Sequence, residues 1–174
     1  MSTPTGNCGS YTYNATGTTR TRDLPGGPSP DQTLLWTPEQ QLESSTVSYD
    51  DGTNSTKSSK TTYVYDAAGN RILENSPAGS TLYLGETELT TDSVGLITHA
   101  SRTYSHAGAP TAVRSTTNQS TTAHTLDILL TNPLGTANTT VEAGGAQPVT
   151  RRSFKPYGEP RGTKPADWPN KRSY

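Results

Sequence analysis

The sequence predicts an all-β protein of antiparallel strands joined by short turns, and three observations carry that expectation. Nothing of helix length repeats its apolar residues at the 3.6-residue period of an amphipathic helix. Tyr, Thr, Val and Ile alternate with polar residues at the two-residue period of a strand. A short turn recurs: an aromatic or β-branched run, then Asp, Asn or Ser, two further residues, and Gly.

That turn gives the elements in order. Its first copy follows Tyr11-Thr12-Tyr13, with Asn14 and Gly17 at the turn positions. Residues 33–36 and 42–49 read as the next strand pair, joined by Thr37-Pro38-Glu39-Gln40. The fullest copy is Tyr63–Arg71, YVYDAAGNR, with Asp66 and Gly69. Weaker copies carry Asp92 and Gly95, Ser105 and Gly108, and Asn132 and Gly135, and Gly158 closes a last related turn. The glycines at 17, 69, 95, 108 and 135 are separated by 52, 26, 13 and 27 residues, close to multiples of 13. One strand and one turn per unit gives such a spacing. The side chain of Asp, Asn or Ser accepts a hydrogen bond from the backbone two residues on, and Gly supplies the positive φ of a type I turn with a following bulge. Pro77-Ala78-Gly79 and Gly144-Gly145-Ala146 read as further hairpin turns. Tyr63, Tyr65, Ile72, Leu82, Tyr83, Leu84, Leu89, Ile97 and Val113 are the expected packed side chains.

Composition narrows the class. Of 174 residues, 28% are hydrophobic, while 32 Thr and 18 Ser give about 29% small hydroxyls. Disorder calls for high net charge and few β-formers, whereas the net charge here is −1. The expectation is a sheet with wet faces and a core too thin to fold well in isolation. The longest apolar run, Ile128-Leu129-Leu130, is far short of the ~20 residues of a membrane span. The N-terminus shows no charged segment leading into an apolar one, the mark of a signal peptide. A single cysteine, Cys8, excludes a disulfide scaffold and a cysteine-based zinc site. Residues 151–174 carry +5 with four prolines, against −6 for residues 1–150. A solvated connecting segment is expected there rather than a nucleic-acid site.

Residues that could carry chemistry are few. His99, His106 and His124 are the base candidates, with no Gly-x-Ser-x-Gly elbow beside them. Glu86 and Glu88 would share one strand face, as a glycosidase pair might be imagined. Asp50-Asp51-Gly52-Thr53-Asn54 lacks the alternating acidic spacing and closing Glu of a calcium loop, and reads as a polar hairpin loop. No cofactor, metal or catalytic residue is therefore assigned. The sequons at Asn14, Asn54, Asn118 and Asn138 follow from the Ser/Thr richness. The aromatic residues Trp36, Tyr63, Tyr65 and Tyr83 read first as sheet-wall residues, and second as a platform that stacks glycans.

Tyr63–Arg71 resembles the YD repeat of the Rhs (rearrangement hot spot) family. Thr33–Leu42 (TLLWTPEQQL) is similar to the family's tryptophan-containing strand and turn. Thr81–Leu89 and Thr103–Gly108 resemble the segments that follow it in actinobacterial members. Leu130–Ala137 and Arg151–Gly162 look like the end of the repeat array, so the resemblance covers residues 11–174. Asn14 stands for the usual Asp, Thr18 for a common Asn, Gln40-Gln41 for Gly-Arg, and Asn132-Pro133-Leu134 for an Asp-His turn. The resemblance implies part of a spirally wound β-shell of the Rhs and teneurin type. Its expected partners are the rest of its own shell and an enclosed C-terminal toxin domain, as in polymorphic toxins, secreted or at the cell surface within a larger protein. Its implied organisation is a flexible stretch at residues 1–10, repeat sheet at 11–158, and a Pro-rich basic connector at 159–174. The segment would be non-enzymatic. The alternative function is an extracellular adhesion or carbohydrate-binding module.

Overall fold

Alternating strand residues and closely spaced turns produce thirteen strands in the computed structural model. It describes residues 9–23, 31–53, 55–156, 158, 160–163, 165, 166 and 168–170. Cys8, Asn54 and most of the expected N-terminal stretch lie outside the described residues. Two compact units divide the chain, Met1–Ser80 and Thr81–Tyr174.

The first unit is an antiparallel meander of β1 (Ser10–Tyr13), β2 (Thr19–Asp23), β3 (Gln32–Trp36), β4 (Leu42–Asp50), β5 (Thr56–Tyr65) and β6 (Arg71–Ser76). β7 (Gly79–Leu84) begins at the boundary. The second unit continues with β8 (Thr87–Thr91), β9 (Ile97–His106), β10 (Ala109–Thr117), β11 (Thr125–Thr131), β12 (Ala137–Glu142) and β13 (Val149–Arg151), again paired in chain order. The described residues include no helix, so no helix is long and apolar enough to cross a membrane.

Little of the interior is apolar. Among the described residues the buried ones are Val113, Leu129, Ala137 and Pro169 beside Ser44, Ser45, Thr81, Glu88, Ser101, Thr103, Ser115 and Thr140. Seven of these twelve carry a small hydroxyl, which places the Ser/Thr richness of the sequence inside as well as outside. Buried hydroxyls need partners. Gln32 Nε2 donates to Ser45 Oγ at 2.8 Å, and Ser115 Oγ and Thr125 Oγ1 are bonded at 2.7 Å. Val113 is fully enclosed as expected, but Leu84 is exposed. It ends β7 opposite Thr87, on the other face from Thr81, so two-residue alternation turns it away from the buried side.

Candidate functional site

The turn residues fall into one repeated geometry. Gly17, Gly69, Gly95 and Gly135 have φ of 85°, 85°, 88° and 80°. Each N–H donates to the carbonyl of the turn's first residue: Asn14 at 2.9 Å, Asp66 at 3.0 Å, Asp92 at 3.2 Å and Asn132 at 2.9 Å. The Oδ1 of Asp66, Asp92 and Asn132 also accepts from the backbone two and four residues ahead, at 2.8–3.0 Å. Asn14 instead donates from Nδ2 to Thr18 Oγ1 at 2.9 Å, so the two departures at 14 and 18 answer each other. The bonds from Asn70 hold the Asp66 carboxyl below its ordinary value. Every one of these turns sits beside a register shift, at Thr12/Tyr13, Val64/Tyr65, Thr90/Thr91 and Leu130/Thr131. A type I turn closed by a left-handed residue makes that bulge. Thr37–Gln40 is a further copy, with a shift at Leu35/Trp36 and Gln40 at φ 64°.

Ser105 departs from the expected pattern. It lies within β9, paired with Pro110, and the chain reverses through Ala107 (φ 50°) and Gly108 (φ 81°). Positive φ at both central residues is the two-residue hairpin arrangement whose twist matches its strands. Gly158 (φ 84°) closes a turn on the Lys155 carbonyl at 3.0 Å.

Of the four aromatic candidates, Trp36, Tyr63 and Tyr65 lie in the first unit and Tyr83 in the second. Trp36, half-buried, donates from Nε1 to the Thr19 carbonyl at 2.7 Å. Tyr65 donates from its hydroxyl to the Leu42 carbonyl at 3.0 Å. Both polar ends are therefore engaged by backbone within the first unit. Arg71 lies over the Tyr63 ring at 5.5 Å and pairs with Glu74 at 3.3 Å; burial, then Glu74, raises the Tyr63 hydroxyl pKa. Tyr83, in the second unit, is half-buried on β7 opposite Glu88.

A site that the sequence did not disclose lies on one face of the second unit. Register sets Glu88, Ser101, Ser115 and Thr125 in one cross-strand row, and Thr103, Val113, Asp127 and Glu142 in the next. The C-terminal segment folds back over this face. Trp168 packs against the Val113, Leu129 and Ala137 cluster. Asn170 Nδ2 donates to Thr103 Oγ1 at 3.2 Å, and His99 Nε2 meets the Pro169 carbonyl at 3.1 Å. A carbonyl can only accept, so His99 carries its proton on Nε2. Arg152 locks the arrangement: its guanidinium stacks 3.7 Å from the Trp168 ring centre and 5.0 Å from that of Phe154, while Nε donates to the Ala137 carbonyl at 3.0 Å. Burial pulls the Arg152 pKa down to about 10, which leaves it charged at neutral pH for the ring contacts. Residues 168–170 are packed here, within the stretch 151–174 where a solvated segment was expected. Trp168 and Pro169 are apolar residues within a basic stretch, and that was the available signal.

Beside Trp168 and Asn170 is a cavity of about 320 Å³. Ser101 Oγ and Asn170 Oδ1 are buried with no hydrogen-bond partner among the described residues. Ser101 and His99 share this face, but no bond joins them, and His99 spends Nε2 on backbone. The nucleophile–base contact of acyl transfer is not formed. Glu86 sits exposed in the β7–β8 turn while Glu88 is buried, so the two glutamates do not form a pair on one strand face. In the Asp50–Thr53 loop the carboxylates of Asp50 and Asp51 accept bonds from Gly52 and Thr53 of that loop, and Lys57 pairs with Asp51 at 3.0 Å.

The sequence matches no family model and no curated relative. Solved structures do resemble it. A crystal structure of TcdB2-TccC3 aligns over 85% of this chain with a TM-score of 0.62 and 20% identity. TcdB2-TccC3 without its hypervariable C-terminal region aligns over 75%, with a TM-score of 0.56 and 21% identity. The Tc holotoxin pore of Photorhabdus luminescens aligns over 87%, with a TM-score of 0.55 and 18% identity. The fold is one that Tc toxin chains use. It agrees with the Rhs-like shell fold that the sequence resemblance implies. This chain spans 7% of the length of the first two and 10% of the third.

Proposed function

We propose that this chain is a length of wall from an Rhs-type β-shell, which encloses and delivers a C-terminal toxin domain outside the cell that makes it. Its work is geometric, and it has no catalytic centre or cofactor of its own. The observation that carries this reading is the repeated Asx-x-x-Gly turn with its bulge, which lets strand follow strand without long loops in a fold shared with Tc toxin chains. Its partners are the neighbouring turns of the same shell and the enclosed domain.

The test uses the complete product of the reading frame that encodes this segment. Its C-terminal domain should resist limited proteolysis, and deletion of residues 81–170 should expose that domain to cleavage. Equal protease sensitivity with and without the segment overturns the reading, as does a reading frame with no effector domain in it.

A further inference from the structure

The other face of the second unit holds an arrangement that shell-building does not explain. Arg102 on β9 lies directly opposite Arg114 on β10. Side chains so placed have Cβ atoms roughly 4.5–5.5 Å apart, and like charges there repel. Lys57 pairs with Asp51 and Arg71 with Glu74, both in the first unit. Among the described residues, the Arg102 guanidinium lies 5.8 Å from the Tyr104 ring and makes no ion pair. Both arginines are exposed and line a cavity of about 250 Å³, closed on one side by Ser120, Thr121 and His124 of the β10–β11 loop. No Asp or Glu lines it. The loop is held in shape by Thr116 Oγ1, which is within reach of the Ser120 and Ala123 carbonyls at 3.0 and 2.8 Å, and by Ala123 N–H donating to Ser120 Oγ at 2.8 Å.

We propose that this cavity is a binding site for a tetrahedral oxyanion, sulfate or phosphate. Two guanidinium forks supply paired N–H donors of the geometry such oxygens accept. The hydroxyls of Ser120 and Thr121 add donors at the rim, while His124 spends its Nδ1–H on the Thr122 carbonyl at 3.3 Å. An anion between Arg102 and Arg114 converts a repulsive pair into a bridged one. The space is several times the ~30 Å³ share of a water molecule, so it admits a sulfate or phosphate ester as well as the free ion.

The test titrates the 174-residue chain at low ionic strength with inorganic sulfate, inorganic phosphate, glucose 6-sulfate and glucose, read by calorimetry and by the shift in melting temperature. Saturable binding of the three anions but not of glucose is expected. Arg114→Gln should weaken it about tenfold or more, and Arg114→Lys by less, because the charge stays while the fork is lost. Without anion, Arg114→Gln should melt slightly higher than the parent, since the repulsion is gone, and its melting temperature should no longer rise with sulfate. Tighter binding of glucose 6-sulfate than of sulfate assigns the site to an ester; equal binding assigns it to the free ion. No saturable binding up to roughly 50 mM, far weaker than the millimolar scale of a specific ion site, overturns the proposal. Equal affinity in an Arg102→Gln/Arg114→Gln double variant overturns it too, with Arg22→Gln as the control for net charge.

Discussion

The two units are built from the same turns yet hold themselves together differently. In the first, the buried side chains among the described residues are the hydroxyls Ser44 and Ser45, and aromatic residues tie strand to strand through Trp36 and Tyr65 bonds to backbone. In the second, Val113, Leu129 and Ala137 form an apolar cluster under Trp168. A meander alone exposes both faces of its strands, and a cluster forms where a segment returns to cover one of them. The covered unit gains the hydrophobic term that scales with apolar area removed from water. The first leans on cross-strand pairs of roughly 0.2–1 kcal/mol each.

Removing the cover should erase the difference. Trp168→Ala is expected to cost the second unit about 2–4 kcal/mol, from the lost packing of a partly buried indole together with its cation–π contact. Amide exchange across β9–β12 should then accelerate to the level of the first unit, while β3–β5 stay as they were. Unchanged protection in β9–β12 would mean that the cluster holds without its lid. In the unaltered chain, β3–β5 should exchange faster than β9–β12, because local stability follows buried apolar contact.

The turns offer a second cut, common to both units. Gly95→Ala places a Cβ on a residue at φ 88° with open space around it, so its cost is the backbone strain alone, about 1–2 kcal/mol. Gly69→Ala in the first unit adds a contact at 3.1 Å with Gln41 Nε2, the far end of a flexible side chain. Chemical denaturation of the two variants should give costs within about 0.5 kcal/mol of each other. A much larger cost at Gly69 would show that Gln41 is held in place.

The strands and most turns were legible in the sequence because their causes are local. An Asx side chain bonding two and four residues ahead needs no tertiary partner, so Asp66, Asp92 and Asn132 act as their spacing suggests. The strand pair read at 33–36 and 42–49 forms at Gln32–Trp36 and Leu42–Asp50, on either side of Thr37–Gln40. Ser105 misled because a Ser-x-x-Gly spacing is also what a two-residue reversal at Ala107-Gly108 leaves behind. The covered face was not legible, since Trp168 meets Val113 across more than fifty residues of chain, and no local pattern encodes that contact. The opposed arginines depend on the β9–β10 register, which a bulge between Pro110 and Ala112 resets. A strand-by-strand reading cannot supply that register.

A smaller, pH-dependent effect separates the units further. Burial, then the Glu142 charge opposite, raises the Asp127 pKa. A carboxyl whose folded pKa lies above its unfolded value disfavours folding once it ionises. Its stabilising contribution is complete below the ordinary value of 3.8 and is lost as pH rises through the raised folded value. Asp127→Asn should therefore stabilise the second unit at neutral pH, and the gain over the parent should vanish on acidification. Asp66 behaves oppositely: its carboxyl is held low, so the support it gives the first unit is present above 3.8 and is lost as pH falls through its lowered value. Following the β5–β6 and β11–β12 amides across a pH series would separate the two signs. A common trend in both would refute the local assignments.

The finest test is at Gln40, where the first unit departs from its own rule. Four sister turns place glycine in the left-handed position; Gln40 holds φ 64° with a side chain. Gln40→Gly relieves about 1–2 kcal/mol of left-handed strain but gives the unfolded chain more freedom, worth about 0.4–1 kcal/mol in the opposite direction. The balance favours the variant by roughly 0.5–1 kcal/mol. Because Thr37 keeps its own contacts, with N–H donating to the Gln41 carbonyl at 2.8 Å and Oγ1 accepting from Gln41 N–H at 3.3 Å, the substitution changes conformational preference and little else. A rise in the denaturation midpoint of the first unit, with that of the second unmoved, would show that the turn limits the stability of the first unit. No rise would place the limit in the strand pairs themselves, where Ser44 and Ser45 stand in for an apolar core.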